Sequence, residues 1–227
     1  MVTNEQLKFS LEGHADLYRK LVNFCDDYSL REKPAFIWQC RSIEQLEIDM
    51  SSQTVRHALQ EGAGEIGRDG WWYAFRAGRQ TVPVFDGLAA LSASDEQGWM
   101  TEMHADGHII AGVWNLPDIP NQTLPGKCVA DFHVDAFADF CRLTKALYGA
   151  AEVTGPFELT CTLLNSAQVH FHRNGYPSIL RKVGRPHLQW RVRKIDGLDT
   201  LDSACQVMAG EFLRAYGVFP SGQSKRS

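Results

Sequence analysis

The segment WMTEMHADGHIIAGVWN, residues 99–115, constrains the fold more than any other part of the chain. Asp106 and Gly107 stand between two runs of strand-forming residues. An Asp-Gly pair placed so is the strongest short-range hairpin signal, because the tight turn needs positive φ angles that Gly adopts freely and Asp tolerates. The sequence therefore predicts two antiparallel strands, about 99–104 and 108–114.

The remaining elements are read from spacing around this hairpin. Leu17, Leu21 and Phe24 lie on one helical face within the first 30 residues, and Asp26, Asp27, Tyr28 and Ser29 mark its end. AFIWQC after Pro34 reads as a strand. A helix over about 52–61 starts at a Ser-rich cap and stops at Gly62 and Gly64. WWYAFRAGRQTVPV, from Trp71, reads as an aromatic strand, a turn at Ala77 and Gly78, and a short return ending at Pro83.

A second group of elements follows a stretch rich in proline (Pro117, Pro120, Pro125). A helix runs from near Asp131 to Tyr148, with Val134, Phe137, Ala138 and Cys141 on its face. PFELTCTLLN reads as a buried strand, AQVHFH alternates behind it, and strands are expected at about 178–183 and 187–195. The last helix covers about 199–216, with Leu201, Cys205, Met208, Phe212 and Ala215 at helical spacing.

These elements predict an α+β fold, with helices packed on antiparallel sheets and rich in hairpins, since no strand-helix-strand unit carries a glycine-rich phosphate loop. The chain reads as one large domain or as two small blocks, 1–115 and 128–217, joined by a Pro-rich connection at 116–127 and followed by a disordered tail at 218–227. There is no run of about 18 apolar residues and no continuous apolar leader, so a cytoplasmic location and no membrane association are expected. Six cysteines without a C-x-x-C pair read as reduced core residues, not as zinc ligands.

Charge is distributed unevenly. Between Glu158 and Asp196 there is no acidic residue, yet seven Lys or Arg and three His fall there, in a chain whose net charge is -4. Such polarity attracts anions. In LQWRVRKI, period-2 alternation puts Arg191 and Arg193 on one face with His187 and Gln189, and Leu188, Trp190 and Val192 on the other. Arg181, Lys182 and Arg185 extend the basic surface if the two strands pair. Guanidinium forks match phosphate or carboxylate oxygens, so the expected partner is a nucleic-acid backbone or an acidic protein surface.

Other chemistry finds less support. His170 and His172 share a strand face, and His104 and His108 flank the Asp-Gly turn, so either pair offers two metal ligands without an obvious third. No G-x-S-x-G elbow, catalytic Cys context or phosphate-binding glycine motif is present, and Ser166 has no positioned base nearby. No cofactor is called for. Three readings stay open: a non-catalytic module binding an anion through Arg181, Lys182, Arg185, Arg191 and Arg193; a metal-dependent hydrolase using His104, His108, His170 or His172; and a self-associating structural subunit, a homo-oligomer whose acidic and basic regions meet.

The order of motifs adds a likeness. WWYAFRAGRQTVPV, the Asp-Gly hairpin, a helix ending in ALYG, GPFELTCTLLN and LDSACQVMAGEFLRAYG occur in the order that resembles the end of the AlbA-type DNA-binding domain of bacterial Schlafen-like proteins and the region that follows it, over about residues 70–217. The resemblance implies a part in a nucleic-acid or defence assembly. SIEQLEIDMSS lacks the Lys of that domain's first strand, and its glycine-rich strand pair is not recognisable before Trp71, so the resemblance carries over no nuclease or nucleotide site.

Overall fold

The structure is a computed structural model that describes residues 3–62, 75, 81–91, 98–114, 127–172 and 184–218. Two helices, α1 (Asn4–Ser10) and α2 (Ala15–Asp27), precede the long strand β1 (Ala35–Ser42) and helix α3 (Gln53–Glu61). The single helical pattern expected at the N-terminus is thus broken, and Gly13 at φ +86° supplies the break. Strands β2 (Thr81–Val84) and β3 (Gly87–Leu91) form a hairpin that the sequence reading lacked in its second half. The Asp-Gly hairpin is present as β4 (Trp99–His104) and β5 (His108–Val113), with Met103 opposite Ile109 and Gly107 at φ +76°.

The chain continues through β6 (Lys127–Val129), α4 (Ala130–Ala150), β7 (Phe157–Leu164), β8 (His170–His172), β9 (Leu188–Gln189), β10 (Arg193–Ile195) and α5 (Leu201–Ala215). The sheet order is β10-β7-β1-β5-β4-β3-β2, with β9 also pairing β7, and every pairing in it is antiparallel. A separate parallel pair joins β6 to β8. The fold is α+β, five helices on an open sheet of eight strands. β1 lies between β5 and β7, so strands from both sides of the Pro-rich stretch share one sheet. The expected strand at 71–76, apart from Phe75, the expected strand at 178–183 and the Pro-rich loop fall outside the described residues, as do Arg181 and Lys182.

Helices cover both faces, which is why β4, β5 and β7 are buried at every position. One face packs Phe36, Trp38 and Phe157 against Phe137, Phe140, Leu201 and Phe212 of α4 and α5. The other packs Ile37, Ile110 and Leu164 against Leu17, Leu21 and Phe24 of α2. Each such side chain, taken wholly out of water, contributes roughly 1.5–3 kcal/mol. The described cysteine side chains (Cys25, Cys40, Cys141, Cys161, Cys205) are all buried free thiols, as expected, and burial pushes Cys25 and Cys40 up to about 12.

Candidate functional site

The basic strand expected at 187–195 is interrupted, and the interruption changes which way its arginines point. Leu188 pairs with Leu163 and Gln189 with Thr162, whereas Arg193 pairs with Leu159 and Ile195 with Phe157. Counting along both strands, the β9–β10 side holds one residue more than β7, a β-bulge. Trp190 still belongs to the ladder, since its N–H donates to Cys161 O at 2.9 Å. Val192 packs with the α2-side cluster, the face of Thr160 and Thr162. Arg191 is therefore the inserted residue.

Residues directly opposite in an antiparallel pair share a face. Arg193 accordingly lies on the face of Leu159, beside Trp190 and under α5, and not with Gln189 as uninterrupted alternation had it. Its guanidinium donates to Glu211 on α5 at 2.6 Å, while its Nε is buried without an acceptor. Trp190 is 6% exposed and its indole N–H donates to Met208 O at 3.1 Å, which ties the sheet edge to α5.

Between this bulged edge and α5 runs a groove of about 660 Å³, walled by the seven residues from Leu188 to Lys194 on one side and by Glu211 and Ala215 on the other. Arg191 and Lys194 are exposed in it. Arg185 is exposed on the loop before β9, which Ser166 holds by donating its hydroxyl to Arg185 O at 2.8 Å. Three of the five predicted anion-binding residues are thus placed, with Arg191 and Arg193 together in one groove.

The histidines meet different fates. His104 and His108 are neighbours across the hairpin, with ring centroids 6.3 Å apart, but both lie under α2 and are buried. His104 Nδ1 is 2.5 Å from Asp86 Oδ1 and its Nε2 is 3.0 Å from Glu102 Oε2. Two carboxylates engage both ring nitrogens, so neither has a lone pair to give a metal. Burial pulls the His104 pKa down, but the bonds to Glu102 and Asp86 outweigh it and leave it raised. His108 Nε2 meets Gln39 Oε1 at 3.1 Å, and burial holds that ring well below its ordinary pKa. His170 and His172 stand two apart on β8, opposite Lys127 and Val129 of β6. Among the described residues, no group of three or more His, Cys, Asp or Glu is placed to hold a metal ion.

The His104 contacts belong to a network that sequence reading did not find. Tyr28 donates its hydroxyl to Glu102 at 2.5 Å, and Lys20 donates to both Asp86 oxygens at 3.0 and 3.1 Å. Burial works to raise the Asp86 pKa, yet the bonds from His104 and Lys20 leave it lowered. Asp86 holds φ +58° in the two-residue β2–β3 turn, and beside it Phe85 is 93% exposed. The network pins α2 and that turn to the sheet. No Ser or Cys bonds to His104 or His108 among the described residues. Lys20 was the signal available: it falls three residues after Leu17, inside the apolar stripe.

No family model, no curated protein and no solved structure matches this chain.

Proposed function

We propose that the chain is a non-catalytic binding module for an anionic partner, engaged in the groove between the bulged sheet edge and α5. Three cations from four consecutive positions, Arg191, Arg193 and Lys194, line one open groove, and the one carboxylate among its described lining residues, Glu211, is tied to Arg193. That observation carries the reading. Arg185 on the adjoining loop would widen the positive field. The likeness to the region following an AlbA-type domain supports placing the module in a nucleic-acid or defence assembly.

The test is a titration of the whole chain against a polyanion, heparin or an oligonucleotide, at rising salt. Affinity is expected to fall steeply with ionic strength, and Arg191→Glu is expected to weaken it by about tenfold or more, since reversing a charge exchanges attraction for repulsion. Binding that ignores both salt and Arg191→Glu refutes the reading.

Self-association has one observation of its own. A second groove of about 450 Å³ carries Glu44, Glu47, Asp49 and Glu152 and, among the described residues, no basic side chain. A strictly monomeric mass at low salt would dismiss it.

A further inference from the structure

Resting on the anion-binding reading, we propose that the occupant of the groove is an extended acidic segment of a partner protein, with carboxylates on alternate residues. The groove has the shape for one. One wall is a single stretch of backbone, Leu188 to Lys194, at the open edge of the sheet, and among the described residues no strand pairs with its outer side. The other wall is α5, presenting Glu211 and Ala215 one turn apart. A strand-and-helix groove of this kind accepts an extended chain, in which side chains two residues apart point the same way at a spacing of roughly 6.6 Å.

The chemistry favours carboxylates over a nucleic-acid strand. Single strands are held largely by bases stacked on exposed aromatic rings. Among the described residues, the one aromatic side chain lining the groove, Trp190, is 6% exposed with its N–H committed to Met208, and the exposed large apolar side chains, Ile43, Phe85 and Val207, lie elsewhere. A polyphosphate must also pass the Glu211 carboxylate carrying charge on every unit, whereas a peptide can set an uncharged residue there. Leu188 and Ala215 supply apolar contacts for such residues. Arg193 is partly exposed, and an incoming carboxylate would compete with Glu211 for its terminal guanidinium nitrogens.

The experiment is fluorescence anisotropy of the full chain with a labelled short peptide alternating Glu and Val, against an oligothymidylate of equal charge. Saturable peptide binding is expected, weakened about tenfold by Arg191→Ala and by Arg193→Gln, and unchanged by Arg56→Ala on α3. Glu211→Gln is expected to tighten it several-fold by releasing Arg193, which a merely structural role for that ion pair would not do. Peptide binding indifferent to the two arginine variants, or weakened by Glu211→Gln in a protein with an unchanged circular dichroism spectrum, overturns the proposal. Binding of oligothymidylate but not of peptide overturns it while sparing the anion-binding reading. If neither probe binds, both readings fall.

Discussion

Replacing Gly112 by Ala tests whether α2 is seated on the sheet as tightly as the hidden polar network requires. A Cβ at 112 would stand 2.7 Å from Phe24 Cε1, 3.1 Å from Phe24 Cζ and 3.5 Å from Phe36 O. Carbon atoms at rest sit roughly 3.5–4.0 Å apart, so the Phe24 ring must move by about 1 Å. It has little room: Phe24 is 1% exposed and packs edge-on against Tyr28 at 4.7 Å. Overpacking of this kind costs roughly 1–3 kcal/mol, and the lower entropy of the unfolded alanine chain offsets about 0.4–1 kcal/mol. The expected net loss is about 1–2 kcal/mol, or roughly 2–8 °C in Tm for a chain of this size. Urea unfolding with an unchanged slope measures it. Phe24→Leu should relieve the clash, so the double variant should be more stable than the two single losses predict by about 1 kcal/mol. A Gly112→Ala protein as stable as its parent, or strictly additive losses, would refute this packing.

Two further outcomes follow from the same geometry. His104 has a raised pKa when folded, so its stabilisation is present below the unfolded value of 6.5 and disappears as pH rises through the folded one. His108 has a lowered pKa, so it costs stability as pH falls from 6.5 toward its folded value, where the unfolded chain takes up a proton that the folded chain refuses. His108→Gln should therefore flatten the acid limb of the urea midpoint against pH and keep the alkaline one, and parallel profiles would contradict the assignment. Deleting Arg191 should leave stability within about 1 kcal/mol, because Trp190 and Val192 then fall opposite Cys161 and Thr160 in register with the pairs on either side. Loss of folding by circular dichroism would show that Arg191 is not the inserted residue.

Much of the architecture is legible because it depends on local chemistry: the Asp-Gly turn, the helical stripes in α2, α4 and α5, and the apolar strands β1 and β7. Two features are not, for separable physical reasons. Period-2 alternation assumes one residue per ladder position, and a bulge adds a residue without a marker, so every face assignment beyond Trp190 reverses. Glu102 and His104 look like the wet face of a hairpin because a sequence does not say what lies over a polar row. The structure puts α2 there, and the two side chains are buried in each other's company, with Lys20 and Tyr28 closing the valences. Asp86 gave no sign, since a left-handed Asp in a turn is ordinary until its carboxylate is seen to bridge Lys20 and His104.

A bulge, two very short strands and a row of Arg and Lys also describe an edge protected against pairing with other chains, and that accounts for Arg191 and Lys194 without any partner. It does not account for Arg193. A protective charge works by being hydrated at the edge, whereas Arg193 is turned under α5, holds Glu211 and leaves its Nε buried without an acceptor. Nor does protection need a groove, since charge on a flat edge repels a strand equally well. The bulge brings Arg193 round to the α5 side, where it lines the opening. The two accounts part at Glu211. If the edge is only protected, removing that carboxylate frees a cation and no acidic chain binds more tightly. If the groove receives carboxylates, Glu211 is the occupant's competitor for Arg193, and its removal strengthens binding.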